Sequence, residues 1–239
     1  MDFELNETLA RKVLTTVDAG LVNGIGSPAP GKMCVEAAVC YAMGLPHSDR
    51  PTCVGDAVRR FKIRLNDSRW SSNETRTAGM RKLAIAQLGS NEIDQKAFAK
   101  IIVEQTIRQI LPITLRAAAS RNPKHAAVLE GAAIGCEQEG TGAATKNAKE
   151  VAKVVRADAA AAAAAVAYAD AVAYAARDSM LNKMAEIGLA ALIELNSPGC
   201  AYLYLTEIAC AQITNPNPSR CATPTKKART CSPCLRSSC

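Results

Sequence analysis

Residues 54–66 read VGDAVRRFKIRLN, and this stretch carries the clearest helical pattern of the chain. Its apolar side chains recur at intervals of three and four residues, which places them on one face of a helix. Charged side chains occupy most of the positions between them, so the stretch predicts an amphipathic helix. The apolar stripe consists of Val54, Ala57, Val58, Phe61 and Leu65.

Helical patterns also lie on both sides of this stretch, and glycine and proline residues separate them. Ser71 and Glu74 have capping-box spacing, and Ser90 is placed to cap the next helix. Pro112 removes a backbone hydrogen bond inside that next helix, so we expect a kink or break near Leu111. The predicted helices span residues 3–19, 33–43, 54–66, 71–88, 90–120, 123–139, 143–195 and 200–213.

The helix predicted over residues 143–195 is rich in alanine, the residue with the highest helix propensity. From Ala157 to Ala176, 14 of 20 residues are alanine. Twenty helical residues span ~30 Å, which is enough to cross a bilayer. Asp158 and Asp170 lie inside this segment, however, and a buried carboxylate in a membrane is costly. The pattern therefore favours internal packing or self-association over a membrane span.

The composition limits the fold class. The 239 residues carry a formal net charge of +7, 21% are charged and only 4% are aromatic. These values exclude a wholly disordered chain and argue against a large β-sandwich or barrel. We predict an all-α, irregular multi-helix bundle over residues 1–214, with one long alanine-rich helix.

Residues 215–239 differ from the rest of the chain. They contain five basic residues, no acidic residue and several proline, serine and threonine residues, so they predict a disordered, basic, cysteine-rich tail. The first residues, MDFELNETLARK, lack the apolar core of a secretory signal. This absence predicts a cytoplasmic location, where cysteines stay reduced.

A basic segment runs from Arg50 to Lys82, with nine basic and three acidic residues. Such a segment can bind phosphates, and Trp70 can stack on a base. No named nucleic-acid motif matches, so a solvated polar face with Trp70 as a loop anchor is the favoured alternative. The candidate binding surface comprises His47, Asp49, Arg50, Arg59, Arg60, Arg64, Asn66, Asp67, Arg69 and Trp70.

Cysteine and histidine spacing gives no convincing metal site. Cys34, Cys40, His47 and Cys53 have five or six residues between neighbours, whereas structural zinc prefers thiolate pairs with two to four residues between them. The tail has one such pair but lacks a second. We therefore predict neither a metal nor another cofactor. The tail cysteines are Cys221, Cys231, Cys234 and Cys239.

A catalytic group around His47 is the remaining chemical candidate. A nearby cysteine as nucleophile and Asp49 as orienting carboxylate would complete it, and Glu36 is an alternative acid on a helix. Nothing in the spacing selects the nucleophile, so structural roles for these residues are favoured. No dinucleotide fingerprint or phosphate-binding loop is present.

Several blocks of sequence resemble uncharacterised proteins from bacterial and phage genomes. They read GKMCVEAAVCYAMGLPHSD (31–49), RLNDSRWSS (64–72), RKLAIAQLGS (81–90) and SPGCAYLYL (197–205). The resemblance extends over residues 20–208. It implies a shared architecture with an alanine- and tyrosine-rich helix, but no mechanism.

The sequence is compatible with three functions. The leading hypothesis is a non-catalytic helical interaction protein that binds an unknown protein partner or itself, through the loops around His47 and Trp70. The second is a nucleic-acid-binding protein that uses residues 50–82 and the basic tail. The third is a thiol- or metal-dependent enzyme centred on His47.

Overall fold

The computed structural model describes residues 4–159 and 169–207. This part of the chain is helical and forms no strand, only two isolated β-bridges at Met33. The prediction of an all-α multi-helix fold is confirmed. The helices of the described part are α1 (Glu7–Asp18), α2 (Val35–Ala42), α3 (Asp56–Asn66), α4 (Asn73–Ala86), α5 (Gln95–Gln105), α6 (Leu111–Arg121), α7 (Ala126–Glu139), α8 (Gly142–Ala159) and α9 (Ala169–Glu194).

Two sequence predictions fall partly outside the described residues. The alanine-rich helix predicted over 143–195 corresponds to α8 and α9, and residues 160–168 between them are not described. The last predicted helix begins instead as the 3-10 turn Pro198–Tyr202, and the tail beyond residue 207 is not described. None of the described helices combines the length and apolar character that a bilayer span requires.

The cap of α4 lies one residue later than predicted. Ser72, not Ser71, accepts the backbone N–H of Thr75, and the Thr75 hydroxyl accepts the N–H of Ser72 in return. Ser71 contacts another helix instead, because its backbone N–H and its hydroxyl both donate to the carboxylate of Asp178 in α9. The prediction that Ser71 caps α4 was wrong, because Ser71 hydrogen-bonds to Asp178 instead of to the end of its own helix.

The cap of α5 also differs from the prediction. Ser90 does not cap α5; it begins the 3-10 turn Ser90–Glu92, and its buried hydroxyl accepts the backbone N–H of Gly55. Asp94 is the N-cap, since its carboxylate accepts the N–H groups of Lys96 and Ala97. The N-cap of α5 therefore lies at residue 94, four residues later than the predicted cap at residue 90.

The helix does not break near Leu111, where a kink or break was predicted, but it is irregular just before Pro112. Residues Thr106–Ile110 form a π-helical segment between α5 and α6, and Pro112 lies in the first turn of α6, where its missing N–H costs little. A π segment lets the helix axis change without leaving the helical state. It therefore joins two regions of the core in one continuous run of helix.

The larger region of the core contains α1–α5 and the C-terminal half of α9. Helix α2 is its centre, because every side chain from Val35 to Cys40 is buried. The smaller region is formed by α6, α7 and α8 around Leu115, Leu129 and Cys136. The two regions meet at the π segment, which contacts α5, α6, α7 and α9.

Arg108 in the π segment closes the end of α7. Its guanidinium donates to the backbone carbonyls of Glu137, Gln138 and Glu139, and its Nε donates to Glu104 on α5. These carbonyls have no partner within α7, and a cation is favourable at the C-terminus of a helix. One side chain thus fixes the smaller core region to α5.

The turn after α9 closes the end of α4. The Ser197 hydroxyl donates to Ala86 at 2.6 Å, and the Gly199 N–H donates to Leu88 at 2.7 Å. Pro198 lies against Gly89, which has a left-handed backbone with φ +78°. The contact brings together residues 81–90 and 197–205, two of the sequence blocks that carry the family resemblance.

Candidate functional site

Trp70 serves as an internal anchor rather than a binding surface. Only 6% of the residue is exposed, and its indole N–H donates to the Leu65 carbonyl at 2.9 Å. The ring lies so close to Gly79 on α4 that a Cβ atom there would be 2.4 Å from it. This burial argues against stacking of Trp70 on a base and supports the loop-anchor alternative.

Asn66 and Asp67 organise the glycine-rich loop that precedes α2. Asn66 is fully buried; its amide donates to the Val22 carbonyl, and its oxygen accepts the N–H of Val35. Asp67 accepts the backbone N–H of Gly24 at 2.8 Å. Both were predicted to lie on a binding surface, but Asn66 lies in the core and both hold the loop in place.

The basic segment is divided between internal contacts and solvent. Four of its nine basic residues are used inside the fold: Arg59, Lys62, Arg76 and Arg81. The other five are exposed, and none of their side chains forms an ion pair within the described part of the chain. These five are Arg50, Arg60, Arg64, Arg69 and Lys82.

His47 does not form a catalytic group with its neighbours in the described structure. It is exposed, and its Nε2 lies 3.2 Å from the Gly26 carbonyl. Asp49 faces Arg59 at 4.0 Å instead, and no hydrogen bond joins His47 to Asp49 or to a described cysteine. The described residues also contain no group of three His, Cys, Asp or Glu side chains arranged to hold a metal ion.

The cysteines around α2 are poor nucleophiles. Burial, reinforced by the carboxyl of Glu36, raises the pKa of Cys40 to about 12 and that of Cys53 to about 11. Burial also raises the pKa of Cys34, whose sulfur accepts the N–H of Ala37 as the cap of α2. A reactive cysteine needs the thiolate at neutral pH, and these environments disfavour it.

Native protein should therefore resist alkylation at Cys34, Cys40 and Cys53. At pH 8 these three thiols are buried and protonated, so iodoacetamide should label them only after unfolding in urea. Peptide mass mapping measures each cysteine separately. Rapid labelling of any of the three in the folded protein would contradict this account and support the thiol-enzyme hypothesis.

An apolar groove of about 540 Å³ lies between α3, α5 and α9, and we call it the α3–α5–α9 groove. Its floor contains Phe61 and Phe98, whose rings meet edge-to-face with centroids 5.9 Å apart. Gly188 on α9 leaves room for Phe61, since a Cβ atom there would be 2.4 Å from its ring. The groove is lined by Ala57, Arg60, Phe61, Arg64, Leu65, Ser68, Phe98, Ala99, Ile102, Val103, Leu181 and Met184.

Two arginines flank this apolar floor. Arg60 and Arg64 are one turn apart on α3 and exposed, and neither guanidinium has a hydrogen bond or ion pair within the described residues. The groove therefore combines apolar surface with two positive charges that no acidic side chain there neutralises. A ligand that matches it needs an apolar face beside carboxylate or phosphate groups.

A second groove of about 970 Å³ lies on the other side of α5. It extends from Lys100 and Ile107 to the turn at Glu139–Gly142, and it shares Ala99, Ile102 and Val103 with the first groove. Val103 stands 59% exposed between the two. Together the grooves make an apolar surface longer than a single small-molecule pocket.

A buried ionisable pair connects α3, one of the helices that line the groove, to α2. Glu36 on α2 and Lys62 on α3 are fully buried, with 3.4 Å between the Lys62 Nζ and the Glu36 Oε1. Sequence analysis named Glu36 but missed Lys62. The signal was its spacing from Val58 and Leu65, since residues 58, 62 and 65 share one face of a helix and all three are buried.

The chain matches no protein-family model, no curated protein and no solved structure. The resemblance to bacterial and phage proteins stays a prediction.

Proposed function

We propose that this protein is a non-catalytic helical binding protein, and that the α3–α5–α9 groove receives an acidic amphipathic helix of a partner protein. The observation that carries the proposal is the pair Arg60 and Arg64, exposed and unneutralised within the described residues beside an apolar floor. An amphipathic helix places apolar anchors at i, i+3, i+4 and i+7, with polar residues along its edges. Glutamates along one edge would meet the two arginines.

The extent of the apolar surface supports a helix rather than a small ligand. The two grooves share Ala99, Ile102 and Val103 on α5, and each is comparable in volume to a complete small-molecule site. A helix laid across them would cover Val103, which is the most exposed large apolar side chain in the described part of α5. The proposed binding surface therefore differs from the predicted surface around His47 and Trp70. Of the predicted residues, it keeps only arginines on α3.

Nucleic-acid binding has weaker support. Trp70 is buried, and four of the nine basic side chains of residues 50–82 are used in internal contacts. The remaining five are spread over several elements, and two of them flank an apolar groove that a polyphosphate chain would not fill. A duplex DNA competitor in the binding experiment therefore distinguishes the two partner classes.

Reversing both groove charges should weaken binding of an acidic helix. The probe is a fluorescein-labelled 18-residue peptide with leucines on one face and glutamates on the other, followed by fluorescence anisotropy. We expect Arg60→Glu/Arg64→Glu to weaken binding at least about tenfold, because replacing two attractions by two repulsions should change the binding free energy by about 1.4 kcal/mol or more in total. A peptide with lysine in place of every glutamate should not bind.

The matched control is Arg50→Glu/Lys82→Glu, which makes the same change in net charge at exposed residues outside the groove. This variant should retain most of the affinity. An equal loss in both double variants would mean that the peptide responds only to the overall charge of +7, and would count against the groove. Full competition by duplex DNA would favour the nucleic-acid alternative.

A further inference from the structure

The Glu36–Lys62 pair is unusual because nothing else in the described structure satisfies it. Apart from the contact between the two groups, neither Glu36 nor Lys62 has a side-chain hydrogen bond to another described residue, although both side chains are 0% exposed. Buried charges are tolerated when hydrogen bonds satisfy their remaining polar atoms. This pair lacks those bonds, so the charged forms are poorly supported.

The surroundings of the pair favour its neutral forms. Burial raises the pKa of Glu36, while the nearby Lys62 and Arg59 oppose that shift and Asp49 adds to it. Burial lowers the pKa of Lys62, while Glu36, Cys34 and Cys53 oppose that shift. Burial thus shifts both pKa values toward the protonated carboxyl and the free amine, and a free amine is a nucleophile.

We propose that Lys62 and Glu36 are joined by an amide bond between Nζ and Cδ, which cross-links α2 to α3. The geometry that supports the bond is the Nζ–Oε1 distance of 3.4 Å, which places the amine directly beside the carboxyl group in a site closed to solvent. The lysine nitrogen adds to the carboxyl carbon, and the C–N bond forms. The C–OH bond then breaks, and the hydroxyl leaves with one amine proton as water. The reaction needs no oxidant, reductant or activating group.

Two features of the site are compatible with this condensation. A cavity of about 30 Å³ adjoins Glu36 and is lined by Cys34, Asp49, Asn66 and Asp67; it has room for the one water that is released. The fold also holds the two groups together, so condensation becomes an intramolecular reaction with a high effective concentration. The amide is neutral, and it has fewer polar atoms that need hydrogen-bond partners than the separate acid and amine have.

Tryptic mapping of the full-length protein tests the bond directly. Trypsin does not cut after an acylated lysine or before proline, so the cross-linked product is residues 33–59 joined to residues 61–64. Its mass should equal the sum of the two peptides minus one water. The intact protein should be lighter than its sequence by one water, and folding followed by mass spectrometry should show this loss appearing over time.

Lys62→Met and Glu36→Ala are the matched variants. Each should have the full mass expected from its sequence, and residues 33–59 of the Lys62→Met protein should run as a free peptide. Wild-type protein with the full sequence mass, and with Phe61–Lys62 released as a separate dipeptide, would overturn the proposal. The wild-type measurement decides the matter even where a variant fails to fold.

Discussion

Replacing Lys62 by methionine is expected to lower the free energy of unfolding by about 3–5 kcal/mol, because it leaves the Glu36 carboxyl buried without its partner. Methionine fills much of the same space, so the loss comes from the isolated carboxyl and not from a large cavity. The expected direction follows from the burial of the pair. Urea denaturation followed by circular dichroism measures it.

The double variant Glu36→Leu/Lys62→Met is the control. Replacing a buried pair by apolar residues of similar volume avoids an isolated buried carboxyl, so the double variant should be more stable than Lys62→Met. A Lys62→Met protein within about 0.5 kcal/mol of wild type, the usual range for surface substitutions, would show that the pair is not buried as described.

A second large effect is expected at Gly199. Replacing it by alanine should cost about 2–4 kcal/mol, because the new Cβ would lie 2.1 Å from the Ile85 carbonyl oxygen and 2.9 Å from two backbone atoms of Leu88. Backbone atoms at the end of α4 cannot move aside as a flexible side chain would. The shift must also weaken the hydrogen bond from the Gly199 N–H to Leu88.

Gly135→Ala provides the contrast for this measurement. Gly135 lies inside α7, and an added Cβ would meet nothing within 4 Å outside its own helix. Alanine is favoured over glycine within a helix, so this variant should gain about 0.5–1 kcal/mol. Thermal unfolding of both variants under the same conditions compares them. Equal stability of Gly199→Ala and wild type would mean that the turn after α9 does not pack on α4.

The sequence predicts the helices well because their signals are local. The apolar repeat of residues 54–66 and the helix irregularity before Pro112 both depend on neighbours within one or two helical turns. Caps were predicted less well. Ser71 and Ser90 have suitable side chains, but contacts with Asp178 and Gly55 use them elsewhere.

The candidate site was only partly predictable because long-range packing creates it. The apolar stripe of α3 divides in the fold: Val58 and Leu65 enter the core, while Ala57 and Phe61 lie partly exposed on the side that lines the groove. The opposite wall comes from α9, more than a hundred residues away, and no local pattern connects it with α3. Sequence analysis therefore identified the arginines but not the groove.

Methyl NMR of the methionines tests the groove most directly. With the acidic peptide bound, the methyl resonance of Met184, which lines the groove, should shift in proportion to occupancy. Those of Met33 and Met80, which are at most 1% exposed in the core, should stay in place. Arg60→Glu/Arg64→Glu should suppress the Met184 shift at the same peptide concentration. A Met184 resonance that stays unmoved while anisotropy reports a saturated complex would contradict binding in the α3–α5–α9 groove.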